Sequence, residues 1–422
     1  MFALIGTLAI LGTVASSGGP TAKIKVLFLS GWTIHEHETL PPVLLRALNA
    51  TGDFEVTLSS DKSLLAKLSP YDVVLLYTTG GDLTKEEETG LWNFVDNGKG
   101  LAGIHSASDS FKNSDKFWQL LGGRFVSHGA GTYKVNIKRG GPVPEIVAGL
   151  GDFTITDETY VNDIHKKSFI QPLAYRAEDN EPAAWIQQQG KGRVFYTNLG
   201  HGMPAWTNES FQKLVVNGLY WVAGRTPSPG ALDKVEWGFR DLFNGKDLSN
   251  WIVPGDQWQA KDGVIDCKGG SGGWLMSKEE FEDFEFRFEY RISKGGNSGA
   301  SFRATLEGNP AFTGHEIQIL DDHGQPPSKH GTASLYDAIA PTMNPSKPAW
   351  EWNEVFIRCV GRQLTVTQNG LRVMNVNLDD AAVNHPLEES VKMWNRAKKG
   401  HFAFQDHGYP VQFRNVRVRV LP

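Results

Sequence analysis

Hydrophobic periodicity changes once along this chain, and that change limits the fold more than any other feature. From Lys23 to about Gly224, unbroken apolar runs such as "IKVLFLS", "YDVVLLYTT" and "GLAGI" alternate with amphipathic stretches such as "PPVLLRALNATG". Continuous apolar runs between helices mark strands covered on both faces, which predicts an α/β domain with a parallel sheet. "LTKEEETGLWNFVDNGKG" carries helix punctuation, with Thr84 as N-cap, Glu87 closing a capping box and Gly98 at the C-terminal end.

"GRTPSPGALDKV" follows, and after it the period becomes two. In "FEDFEFRFEYRIS", Phe284, Phe286, Phe288 and Tyr290 alternate with Glu285, Arg287, Glu289 and Arg291. Many alternating strands with almost no helix signal predict an all-β sandwich of jelly-roll type. In "VQFRNVRVRV" the apolar parity switches near Asn415, the mark of a β-bulge. The predicted organisation is residues 1–21 as a leader, 22–224 as the α/β domain, 225–235 as linker and 236–422 as the sandwich.

With 40% hydrophobic and 21% charged residues, 422 residues suffice for two ordinary cores. A net charge of −5 argues against nucleic acid or an anionic membrane as partner. Two cysteines, Cys267 and Cys359, exclude a four-cysteine zinc or iron–sulfur site; one disulfide and two buried thiols both stay open. The apolar run from Phe2 to Val14, followed by Ala15, Ser16 and Ser17, has the length of a signal-peptide core. Export to the periplasm or beyond is therefore expected, with a retained N-terminal anchor as the alternative.

Three predicted strands of the second domain combine an apolar face with acids, amides and histidines. In "GHEIQILDD", Ile317 and Ile319 share one face while Glu316 and Gln318 share the other. In "SGASFRA", Arg303 is out of phase with Phe302; in "HFAFQDHG", Gln405 and His407 are out of phase with Phe402 and Phe404. If these strands are neighbours, Arg303, Glu316, Gln318, Gln405 and His407 line one concave polar surface, whereas an ordinary solvated face would carry mostly Lys, Glu, Thr and Arg.

Together "LFNGKDLSNW", "GNSGASFR", "GHEIQILDD", "EWNEVFIRCVGRQLTVTQNG" and "FQDHGYPVQFRNVRV" resemble the 3-keto-disaccharide hydrolase domain, a concanavalin-like jelly roll, over about Trp237 to Leu421. The resemblance implies cleavage of glycosides whose sugar is oxidised at C3, hydrolytically or through elimination. A C3 ketone acidifies the C2 hydrogen, and C1 lies β to the ketone, so the site needs a base, an enolate stabiliser and an acid for the leaving oxygen. Glu316 or His407 is the expected base and Arg303 the enolate stabiliser, with Gln318, Asp321, Tyr336 and Gln405 as substrate-binding groups. A divalent metal is a second candidate stabiliser; Glu316, His330 and His407 are available for it, although their spacing forms no metal motif.

The first domain, through "SGWTIHEHETLPPVL", "GLAGIHSASDSF", "LLGGRFVSH", "TDETY" and "GKGRVFYTNLGHGMPAW", is similar to the ThuA-like trehalose-utilisation family. That family is similar in fold to class I glutamine amidotransferases, which implies a flavodoxin-like layout. The amidotransferase cysteine position, after "LAGI", holds His105, and the domain contains no cysteine, which rules out thiolate-based glutamine hydrolysis. His35, His105 and His201 follow three predicted parallel strands, where ligands gather. With Glu158 of "TDETY" they form a candidate sugar or metal site. The competing readings make the jelly roll a non-catalytic carbohydrate-binding module using Trp274 or Trp350, or leave all chemistry to the ThuA-like domain.

Overall fold

A computed structural model describes residues 22–140 and 145–421. The expected leader and cleavage zone, residues 1–21, lie outside the described residues. Among the described residues, no helix is long and apolar enough to cross a membrane.

The N-terminal domain is built on a nine-stranded sheet. Its spatial order begins Phe54–Ser59, Ile24–Trp32, Val73–Thr79, Gly100–Ile104 and Gly192–Thr197, all parallel. Residues along Ile24–Trp32 feed two cores alternately: Val26 and Phe28 pack under helices Pro41–Thr51 and Glu209–Val222, while Leu27 and Leu29 pack toward Lys85–Asp96 and Asp115–Leu121. Helix Lys85–Asp96 has the expected capping box between Thr84 and Glu87. Beyond the parallel core the sheet continues antiparallel through Pro182–Gln189, Gln171–Arg176, Ala130–Ile137 and Phe153–Glu158. The parallel sheet expected from the sequence thus accounts for five of the nine strands, and the antiparallel extension was not expected. Tight turns such as Glu178–Glu181, with Asn180 at φ 59°, can join only antiparallel neighbours, since a parallel pair needs a long crossover.

The C-terminal domain packs an eight-stranded sheet on a five-stranded one. Phe284, Phe286, Phe288 and Tyr290 all point inward, as their period of two requires, and Phe286 stacks on Phe402 with ring centroids 3.9 Å apart. Phe404 stacks likewise on Phe413 at 3.9 Å. The parity switch near Asn415 is a bulge: Asn415 has φ 50°, and the register against Phe284–Ile292 slips between Arg287 and Glu289. Cys267 and Cys359 are separate buried thiols, each pushed up, to about 12 and about 11, chiefly by burial.

The domains meet at Glu236. Its carboxylate accepts from Arg46 of helix Pro41–Thr51 at 2.6 Å and from Arg417 at 2.6 Å, while Arg46 also reaches Asp241 at 2.7 Å. Burial works against the charge of Glu236, but the two guanidiniums outweigh it and hold the carboxyl down at about 2.

Removing the ring at the centre of the sandwich leaves a cavity that two sheets cannot close. Phe286→Ala is expected to cost about 3–5 kcal/mol, read as a lower midpoint for the C-terminal transition in urea unfolding.

Candidate functional site

The five-stranded sheet runs Trp251–Ile252, Gly273–Phe281, Gly400–Asp406, Asn297–Ala304 and His315–Leu320. The three strands singled out in the sequence are therefore neighbours. Register places Ser301 opposite Glu316, Gly299 opposite Gln318, and Trp274 opposite Gln405. Ile317, Ile319, Phe402 and Phe404 fill the core on the inner face, so Glu316, Gln318 and Gln405 share the outer one. Small residues at Gly299, Ser301 and Ala403 keep the middle of that face low. A Cβ at Gly299 would overlap Glu316 Oε1, so only glycine leaves room for the carboxyl group there.

Glu316 is only 3% exposed. Burial pushes its carboxyl up to about 8, against a partial counter-effect from the Arg396 charge. Arg396 is itself buried and donates to the carbonyls of Val391, Ala311 and Gly314. Tyr336 is half-buried beside Glu316: its backbone N–H donates to Glu316 O at 3.0 Å, and its phenol is raised first by burial and then by the Glu316 charge.

Other expected residues go elsewhere. Arg303 leaves the outer face because the strand bulges there, with φ 54° and a register shift between Ser301 and Ala304. Its guanidinium is fully buried and donates to Glu282 O, Gly361 O and Asp283, which makes it a tie between loops with no access to a ligand. His407 lies past the end of strand Gly400–Asp406 and is exposed. Asp321 caps a turn through the Gly295 N–H at 2.7 Å. Gln318 spends its amide on backbone, donating to His330 O at 3.4 Å and accepting from Ile319 N at 3.1 Å. His330 is exposed and paired with Asp337 at 3.0 Å.

A second cluster sits at the carboxyl ends of the N-terminal parallel strands. His35 follows Ile24–Trp32, His105 follows Gly100–Ile104, His201 follows Gly192–Thr197, and Glu158 ends the antiparallel strand Phe153–Glu158. One ligating atom from each of the four lies within 4.8 Å of all the others, so this set could hold a metal ion. His105 adopts φ 47° directly after its strand, which turns its ring over the sheet end, and Tyr160 lies against it at 4.0 Å. His37 is taken up by its own loop, near Ser30 Oγ and Thr33 O. Sequence reasoning missed Asp157, whose buried carboxylate accepts from Gly200 N at 2.7 Å and His201 N at 2.9 Å and so clamps the His201 loop. The acidic pair in "TDETY" was its only signal. Arg396 had none.

A model described as the 3-keto-alpha-glucoside-1,2-lyase-like domain matches residues 238–419, and one described as trehalose utilisation matches residues 25–222. The combination defines a carbohydrate hydrolase-type β domain carried behind a ThuA-type α/β domain. The chain is 30% identical over 228 residues to the curated 3-keto-disaccharide hydrolase of Bacteroides thetaiotaomicron, covering 44% of this chain and 79% of that one. It belongs to the 3-keto-disaccharide hydrolase family. Among solved structures, a Parabacteroides distasonis protein provisionally described as a glycosyl hydrolase is 25% identical, covers 44% of this chain and 94% of its own, and superposes with a TM-score of 0.40. A ThuA-like protein of Parabacteroides merdae is 23% identical, covers 49% and 92%, and gives 0.43.

Glu316 binds a proton more tightly folded than unfolded. Its contribution to stability is complete below about pH 4.5 and is lost as pH rises through about 8. Glu316→Gln is therefore expected to flatten the stability curve between those values, measured by urea unfolding at about pH 5 and about pH 9.

Proposed function

We propose that the C-terminal domain cleaves 3-keto-glycosides by elimination, with Glu316 as the base. The observation that carries this reading is the Glu316 carboxyl group, buried on the polar outer face of its sheet and raised to about 8. A carboxylate with that affinity for a proton is a far stronger base than one in water, which suits removal of the C2 hydrogen α to a ketone. The C2–H bond breaks toward Glu316, and its electron pair forms the enolate with C3. The enolate then collapses to a C1–C2 double bond as the C1–O bond breaks, and the leaving oxygen takes the proton that Glu316 accepted. Water adding across that double bond completes net hydrolysis. Developing charge on the C3 oxygen would meet the field of Arg396, with the Tyr336 hydroxyl as the nearby donor. The half-buried Trp274 and Gln405, paired across one edge of the face, offer a ring and an amide to the sugar.

Within this reading we assign the finer fold types as well. The parallel order, in which the second strand lies outside the first and the third, fourth and fifth follow inward, supports a flavodoxin-like layout. Two packed antiparallel sheets support a jelly roll. The ThuA-like domain would act on or bind a related oxidised sugar. Export is proposed as well, from the apolar run Phe2 to Val14 alone.

Full-length protein with 3-keto-trehalose and with unoxidised trehalose, followed by glucose release, tests the proposal. Release is expected from the keto-sugar alone, with kcat/KM rising toward a plateau above about pH 8 as Glu316 ionises. Glu316→Gln is expected to lower the rate about 10²–10⁴-fold with binding retained. Turnover of the keto-sugar by that variant at the wild-type rate would move the chemistry to the N-terminal domain.

A further inference from the structure

The four side chains at the sheet end of the N-terminal domain are placed as no ordinary hydrogen-bonded cluster would be. His105 is fully buried, and its Nδ1 lies 2.8 Å from the Asn198 carbonyl oxygen, which can only accept. Nδ1 therefore carries the proton in the neutral ring, and Nε2 presents a lone pair. That Nε2 stands 3.4 Å from Glu158 Oε2 without forming a hydrogen bond. His35 Nδ1 is engaged at 2.8 Å by Thr79 Oγ1, and its Nε2 is buried without a partner. His201 Nδ1, 3.3 Å from Glu158 Oε1, is a third buried nitrogen with none. Three orphaned ring nitrogens and a carboxylate thus converge on one point. Buried polar atoms in native proteins are satisfied by a partner, by water or by an ion. A single proton shared with Glu158 would satisfy one of these nitrogens and leave two.

We propose that the N-terminal domain binds one divalent first-row transition-metal ion through His35 Nε2, His105 Nε2, His201 Nδ1 and Glu158. Three imidazoles with one carboxylate suit zinc and its neighbours, whereas magnesium and calcium prefer all-oxygen shells. His105 Nε2 lies 3.4 Å from Glu158 Oε2 and His201 Nδ1 3.3 Å from Glu158 Oε1, so the two imidazoles face the two oxygens of one carboxylate, and one ligating atom from each of the four residues lies within 4.8 Å of the others. The outer shell is also built: Asn198 O and Thr79 Oγ1 orient two imidazoles, and Asp157 fixes the loop that presents the third. His201 and His128 are partly exposed, each with Nδ1 3.3 Å from Glu158 Oε1, so the cluster can be reached from solution on that side. This inference does not depend on the reading of Glu316, which lies in the other domain.

The test uses full-length protein stripped with a chelator, dialysed, and titrated with Zn²⁺ and with Co²⁺. One equivalent per chain by elemental analysis, with visible d–d absorption for the cobalt form, is expected. His201→Ala and Glu158→Gln change residues that are not fully buried, so both are expected to fold, as circular dichroism would check. Each is expected to weaken Zn²⁺ binding at least tenfold. Glu316→Gln is expected to bind as wild type. Less than about a fifth of an equivalent in the wild-type chain, or folded His201→Ala and Glu158→Gln proteins with wild-type affinity, would overturn the proposal.

Discussion

Phe286 lies flat on Phe402 at 3.9 Å, and this contact between two sheets decides which way the residues of both strands point. Side chains alternate along a strand, so a ring pinned inward at Phe402 puts Ala403 and Gln405 on the opposite face. Hydrogen-bond register carries the same parity to the next strands, where Ile317 and Ile319 turn in and Glu316 and Gln318 turn out. Burial of hydrocarbon in the sandwich thereby sets a carboxyl group on the far side of the sheet. That outer face is itself covered at Glu316, by the loops that bring Tyr336 and Arg396, and the covering raises the carboxyl group's proton affinity.

The N-terminal domain solves a similar problem by different means. Its three clustered histidines and Glu158 come from strand ends, where the backbone leaves the ladder and side chains from distant segments can meet. His105 holds a left-handed backbone with a Cβ attached, a conformation that costs on the order of 1–3 kcal/mol and persists only where packing enforces it. Tyr160 against its ring and Asn198 O at its Nδ1 supply that enforcement. Glu236 then joins the two halves, held by an arginine from each.

Much of the outer face was legible because strand parity is a local property. Glu316, Gln318 and Gln405 were placed together on that basis, and His35, His105, His201 and Glu158 through the rule that ligands collect at strand ends. Arg303 was misplaced for a physical reason: one bulge inverts parity, and the bulge arises from pairing with strands at residues 315–320 and 400–406 that local sequence does not encode. Strand parity does not extend to His407, because the strand stops one residue earlier, at Asp406, whose carboxylate turns back to bind the N–H groups of Gly270, Gly272 and Gly408.

By itself the sequence determined two periods of hydrophobicity, hence an α/β unit and an all-β unit, the inward face of the regular sandwich strands, and the family resemblance of both. Tertiary structure alone decided that Arg396 and Tyr336 stand beside Glu316, that Asp157 clamps the His201 loop, and that three imidazole nitrogens face one carboxylate. The reason is range. Periodicity acts over a few residues and is written in composition and spacing, whereas these contacts join segments tens of residues apart or more, and only the packed chain brings them together.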